Sequence, residues 1–195
     1  MSQVSAHNLQ PENVEKIAAH IKEIITLLGE APGREGLVKT PLRAAKALAY
    51  ITSGYRQNVA ETLESALFEH SGSNIVVVKD IEFYSMCEHH ILPFFGKVSI
   101  GYIPSDKIVG LSKLARIVNV FARRLQIQER FTAQICDEVL KATGAKGVIV
   151  ECSGEHLCMK MRGVEKQHAA TVTTHYNGIF DGNPALRTEF FQSLR

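Results

Sequence analysis

Apolar residues recur at three- and four-residue spacing over residues 11–28, at Val14, Ile17, Ala18, Ile21, Ile24, Ile25 and Leu28. That period predicts an amphipathic helix, with Pro11 suited to its first turn and Gly29 ending it. Residues 1–10 ahead of it read as a loosely attached tail. Pro32, Gly33 and Gly36 mark residues 30–39 as a loop. A second helix is expected to start at Thr40-Pro41, with Thr40 as N-cap, and to run to about Ser53. A third is expected over residues 59–69. Past Ser71-Gly72-Ser73 the period switches to alternation, and residues 75–78, 81–86 and 95–103 predict strands, the last closed by Pro104. Helical spacing returns over residues 111–125, where Leu114, Ile117, Val118, Phe121 and Leu125 share a face, and again over 129–141, stopped by Gly144. Residues 148–150 and 169–174 read as further strands, and 184–193 as a terminal helix. Paired strands with helices between the pairs argue for an α+β protein, an antiparallel sheet with helices on one face. We divide it into a helical region, residues 1–70, and a sheet-bearing region, residues 71–195, of what is functionally one domain.

Composition narrows the class. A chain of 195 residues with 45% hydrophobic and 22% charged residues is an ordinary globular protein, neither disordered nor fibrous. No apolar run approaches the ~20 residues that span a bilayer, and residues 1–10 lack the basic and apolar regions of a signal peptide. The expectation is a cytoplasmic protein without a membrane partner. Twenty-two basic against 20 acidic residues leave a formal charge of +2, and there is no tryptophan, so nothing here calls for a nucleic-acid partner. With no export, the four cysteines are expected as reduced thiols, each a core residue or a metal ligand.

Chemistry concentrates in two clusters. Cys87-Glu88-His89-His90 ends one expected strand, and His156-Leu157-Cys158 lies just past another. Thiolate and imidazole are both favoured zinc ligands. If the two strand ends are neighbours, Cys87, His90 and Cys158 supply three ligands and leave a fourth position open, as catalytic zinc requires. Cys152 is a possible fourth ligand, which would close the site and make it structural. Cys136 falls in an apolar helical pattern and reads as core. His89 and His156 flank the cluster and are candidates for general acid–base work, against the plainer reading of satisfied structural histidines. Basic residues gather as Arg43 with Lys46, as Lys113, Arg116, Arg123 and Arg124, and as Lys160, Arg162 and Lys166. Such groups form solvated faces or, where they converge, a polyphosphate site. No G-x-x-x-x-G-K-[ST] element occurs, so a Walker loop is excluded.

From about Leu28 to the C-terminus these segments resemble GTP cyclohydrolase I. The stretches that carry the likeness are Gly36-Leu37, Thr40-Pro41-x-Arg43, Ser85-Met86-Cys87-Glu88-His89-His90 and Pro93-Phe94-x-Gly96. They continue with Leu111 to Val118, Arg123-Arg124-Leu125-Gln126-x-Gln128-Glu129-Arg130, His156-x-Cys158-Met159-x-Met161-Arg162-Gly163-Val164, and Thr171-x-Thr173. The intact Cys-Glu-His-His element points to the zinc-dependent form. The resemblance implies a tunnelling fold, an antiparallel sheet backed by helices, whose subunits close into a barrel. Two stacked pentamers make a homodecamer with active sites between neighbouring subunits. It implies Zn2+ on Cys87, His90 and Cys158, which sets Cys152 aside. Further, Glu129 corresponds to the carboxylate that anchors guanine, with Gln128 beside it as a substrate-binding position. Arg43, Lys46, Lys113, Arg116 and Arg162 correspond to or neighbour the triphosphate contacts. His89 is the expected acid at the imidazole ring, and His156 and Ser112 correspond to residues acting at the ribose. The expected reaction converts GTP to 7,8-dihydroneopterin triphosphate and formate. A queuosine-pathway nitrile reductase of the same fold, or a structural zinc assembly protein, are the alternatives.

Overall fold

The computed structural model describes residues 9–63, 67–69, 71–72 and 74–195, so most of the expected tail lies outside the described residues. These residues form two compact units that divide between Gln57 and Asn58.

The first unit is helical. Helix α1 (Pro11–Leu27) has proline in its first turn and ends as expected, with Leu28 as C-cap and Gly29 at a φ of 87°. Helix α2 (Thr40–Ile51) begins one residue earlier than the Thr40 cap implied. Lys39 is the N-cap, and the Thr40 hydroxyl donates back to the Gly36 carbonyl at 3.3 Å instead of capping. A 3-10 turn (Ser53–Arg56) follows, and the Arg56 guanidinium donates to the Ala49 carbonyl at 2.6 Å, meeting an acceptor the helix end leaves open.

The second unit is built on a five-stranded sheet. Helix α3 (Val59–Leu63) stops well short of the expected end at Glu69, and residues 64–66 lie outside the described residues. Leu67–Glu69 is strand β1, drawn into pairing with β4 (Lys107–Val109), a strand the sequence pattern did not announce. Strands β2 (Val76–Cys87) and β3 (Leu92–Ile103) form a long hairpin. Helix α4 (Leu111–Ala122) ends before Leu125, because Leu125–Gln126 leaves the helix as β5 and pairs parallel to Met86 and Cys87. Helix α5 (Gln128–Thr143) closes on Gly144 at a φ of 61°, a left-handed cap that glycine adopts without a Cβ penalty. Next come β6 (Gly147–His156), the one-turn helix α6 (Leu157–Lys160), β7 (Thr171–Gly178) and α7 (Pro184–Ser193). Strand order is β5-β2-β3-β6-β7, antiparallel except at β5.

A bulge decides which way the chemistry faces. Pairing of β2 with β3 shifts between Val78 and Ile81, where Asp80 takes a φ of 61°. Before it, Val76 and Val78 pack into the core under α4 and α5, while Ile75 and Val77 join the smaller cluster around Phe180 and Phe190. After it, Ile81, Phe83 and Cys87 take the α4/α5 side. One extra residue reverses the alternation, and a regular strand would have turned Cys87 to the opposite face. The two sequence segments, 75–78 and 81–86, are therefore one strand with two phases.

The main core centres on Phe83, Phe94 and Phe131, each at most 1% exposed, with ring centroids 4.9–6.5 Å apart. On the other face α7 covers only the far end of the sheet, where the bare Cα of Gly101 admits Phe190. No described helix is long and apolar enough to cross a membrane. Truncating the central ring, Phe131→Ala, is expected to cost about 3–5 kcal/mol, read as a lowered urea midpoint; a loss under ~1 kcal/mol would contradict its place in the core.

Candidate metal centre and active site

The two clusters meet because β3 pairs with both of their strands. Cys87, the last residue of β2, stands opposite Leu92, and two residues further along β3 Phe94 stands opposite His156, the last residue of β6. Residues 88–91 turn tightly between the strands, with the Glu88 N–H donating to the Gln126 carbonyl at 3.0 Å and the Ile91 N–H to the Cys87 carbonyl at 2.8 Å. Beyond β6, the single turn α6 carries Cys158 back over the same edge.

The outcome is a Cys-His-Cys group. The ligand atoms of Cys87, His90 and Cys158 all lie within 4.8 Å of one another, with the Cys87 Sγ 3.7 Å from the His90 Nδ1. Cys87 is buried, Cys158 half-buried and His90 exposed, so the group sits at the surface end of the core. Burial, then the neighbouring Cys87, push the Cys158 thiol up, with the Arg162 charge opposing. A second sulfur that disfavours the Cys158 thiolate is electrostatics that suits a cation, which reverses that sign when it binds. The soft thiolate–imidazole donor set fits zinc in kind.

Neither other cysteine belongs to the group. Cys152 is fully buried in β6, its thiol bonded to the Thr132 and Thr173 side chains. Cys136 is buried on α5 and donates to the Val148 carbonyl at 3.5 Å. Burial pushes both thiols up to about 12, so they remain protonated core residues at neutral pH.

The first turn of α5 supplies the surroundings. His156 Nε2 lies 2.9 Å from Gln128 Oε1, and its ring stacks on Phe94 with centroids 4.6 Å apart and planes 4° from parallel. Burial lowers the pKa of His156, opposed by the Glu129 charge. Glu129 is exposed beside it, whereas Gln128 is 1% exposed and its side chain bonds inward. Arg130 reaches the metal turn itself: its guanidinium pairs with both Glu88 carboxylate oxygens and, through Nε, with Gln126 Oε1 at 3.1 Å. That pairing holds the Glu88 carboxyl below the usual carboxylate range. Gln126, 1% exposed, is held in turn on the Phe121 carbonyl and Gln134. Glu88 and Arg130 stand 42 positions apart, and the only sign in the sequence is that both fall within the motifs quoted above.

The other expected site residues lie on the turn beside the cluster, on α4, just past α6 and on α2. His89 is exposed on the turn, its Nδ1 4.0 Å from the Cys87 Sγ. Ser112, Lys113 and Arg116 lie on the first turns of α4, with Ser112 and Arg116 exposed. Arg162 is exposed just past α6, and Arg43 and Lys46 are exposed on α2 in the first unit.

Comparison with known proteins bears directly on this arrangement. A sequence profile described as GTP cyclohydrolase I matches residues 17–195. GTP cyclohydrolase 1 of Campylobacter jejuni is 54% identical over 174 residues, 89% of this chain and 92% of that protein. The enzyme of the same name from Deinococcus radiodurans is 49% identical over 185 residues, covering 95% and 86%. That of Porphyromonas gingivalis is 50% identical over 183 residues, covering 94% of each. Among solved structures, an apo archaeosine synthase QueF-Like overlaps 56% of this chain at a TM-score of 0.45 and 18% identity, too loose a likeness to bear on function. With a profile match over nearly the whole chain and relatives at about half identity, the chain belongs to the GTP cyclohydrolase I family of tunnelling-fold enzymes.

Proposed function

We propose that this chain hydrolyses and rearranges GTP to 7,8-dihydroneopterin triphosphate with release of formate, the entry step of tetrahydrofolate and pterin synthesis, using zinc. The observation that carries the reading is the convergence of Cys87, His90 and Cys158 beside His89, with His156 and Glu129 held at the same end of the sheet. Cys87, His90 and Cys158 are the residues that would hold the ion. When bound with its fourth position open, zinc lowers the pKa of water towards ~7 and so supplies a nucleophile at neutral pH.

The chain's own groups do the rest. Glu129 accepts two guanine N–H groups and orients the base, a pairing a carboxylate makes well. His89, on the metal turn, protonates N7 of the imidazole ring as it opens. His156 and Ser112 serve the ribose in the later rearrangement. Arg43, Lys46, Lys113, Arg116 and Arg162 meet the triphosphate, where guanidinium and ammonium groups make charge-assisted hydrogen bonds. These residues are assigned across neighbouring subunits of a homodecamer of two stacked pentamers. Support for assembly lies in the sheet edges: β5 covers only Met86 and Cys87 of β2, and β7 pairs on one side only, among the described residues. Free, buried thiols at Cys136 and Cys152 suit a reducing compartment such as the cytoplasm.

A nitrile reductase reading requires a nucleophilic cysteine and NADPH, and gathering Cys87 and Cys158 with His90 argues against it. A structural zinc protein requires a closed site, whereas Cys152 is committed to the core.

Incubation with GTP is expected to release formate and produce the pterin chromophore, and a zinc chelator is expected to abolish both; neither product from zinc-loaded protein would overturn the reading. Cys87→Ala is expected to lose bound zinc by elemental analysis together with turnover, and full turnover with zinc retained would remove the metal assignment. His89→Ala should keep its zinc yet open the ring roughly 10²–10⁴-fold more slowly, so an unchanged rate would exclude it as the acid. Because Arg130 braces the turn through Glu88, Arg130→Met is expected to weaken zinc binding by about 10–100-fold in competition with a chelating dye, and unaltered affinity would refute the brace.

A further inference from the structure

Gln128 stands among the expected substrate contacts, yet its side chain is committed elsewhere. The amide nitrogen faces the Cys152 carbonyl at 3.0 Å, the Thr171 carbonyl at 2.8 Å and the Thr173 hydroxyl at 3.2 Å. Carbonyl oxygens only accept, so the atom facing them is the NH2 and the remaining atom is the carbonyl Oε1. Oε1 lies 2.9 Å from His156 Nε2. An amide oxygen cannot donate, so the imidazole must, and His156 carries its proton on Nε2 with Nδ1 left as its acceptor.

The ring has no other freedom. Stacking on Phe94 at 4.6 Å sets its plane, and the bond to Gln128 sets its rotation within that plane. The amide is fixed at its own end by strands β6 and β7 and by its place at the start of α5, 1% exposed. Gly154 completes the fit. A Cβ there would stand 2.4 Å from the Gln128 Oε1, so only a glycine leaves the oxygen its place beside the imidazole.

We propose that Gln128 is a positioning residue for His156 rather than a substrate contact: it fixes the ring and its Nε2–H form, so that Nδ1 is the nitrogen offered to the substrate. The inference rests on the ribose role given to His156 above. Gln128 touches no reacting atom and acts through the histidine.

The test uses zinc-loaded, assembled enzyme and three substitutions. Gln128→Met keeps the length and removes both sets of hydrogen bonds. Gly154→Ala leaves the amide in place but presses on its oxygen, and His156→Ala removes the ring. We expect Gln128→Met and Gly154→Ala each to lower kcat roughly 10–100-fold while KM stays within about 3-fold. We also expect Gln128→Met to cost nothing further in the His156→Ala background. Crystals of Gln128→Met should show the His156 ring turned or lifted from Phe94. An unmoved ring, or an equal loss of kcat with and without His156, overturns the proposal. Should His156→Ala turn over GTP at the wild-type rate, the role given to His156 fails, and the ring position in Gln128→Met crystals alone decides whether Gln128 anchors it.

Discussion

The ladder that sets Cys87 opposite Leu92 and Phe94 opposite His156 holds the candidate site together, because β3 is the only strand among the described residues paired with both cluster-bearing strands. Hydrogen-bonded register is discrete: a slip by one residue turns every side chain to the other face. The site therefore inherits the precision of the sheet rather than of a loop. The bulge at Asp80 is part of the same constraint, since it restores Ile81, Phe83 and Cys87 to the face where α4 and α5 cover them. A protein that places a metal group at the end of strands gains rigidity from the core directly beneath it, here the Phe83, Phe94 and Phe131 rings.

Around that frame the first turns of α5 divide the work by residue. Gln128 faces inward and holds His156, Glu129 faces outward beside the same imidazole, and Arg130 reaches to the Glu88 carboxylate on the metal turn. Buried polar groups are costly unless paired, and both buried amides are paired here: Gln126 with Phe121, Gln134 and Arg130, and Gln128 with two backbone carbonyls, Thr173 and His156. One helix end thus carries the group that braces the turn at Glu88, the group that holds the histidine and the proposed base-binding carboxylate.

Much of the fold was legible in the periodicity. Helices α1, α4, α5 and α7 and the order of the long strands followed from spacing: α4 and α5 bury one face and their apolar positions repeat accordingly, and α1 shows the same period with its apolar face only half-buried. What failed were short elements held by long-range partners. Leu67–Glu69 reads as helix locally but pairs with Lys107–Val109, and Leu125 continues the helical face of α4 but is taken by pairing with Met86. Nothing within either segment encodes the partner that overrides it.

The sequence alone determined the ligand types, the acid–base candidates and the family, since Cys-x-x-His, His-x-Cys and the Gln-x-Gln-Glu-Arg run are contiguous words in the chain. Residue types alone left Cys152 open as a ligand until the resemblance set it aside, and Gln128 stood with the substrate contacts, for a residue's identity does not say which way its side chain points. Tertiary structure shows where both side chains go. Strand phase buries Cys152 between Thr132 and Thr173, and the two backbone carbonyls that hold the Gln128 amide come from β6 and β7, which no local pattern connects to α5. Direction and partnership are properties of packed elements, and so they emerged only when the sheet and helix were seen together.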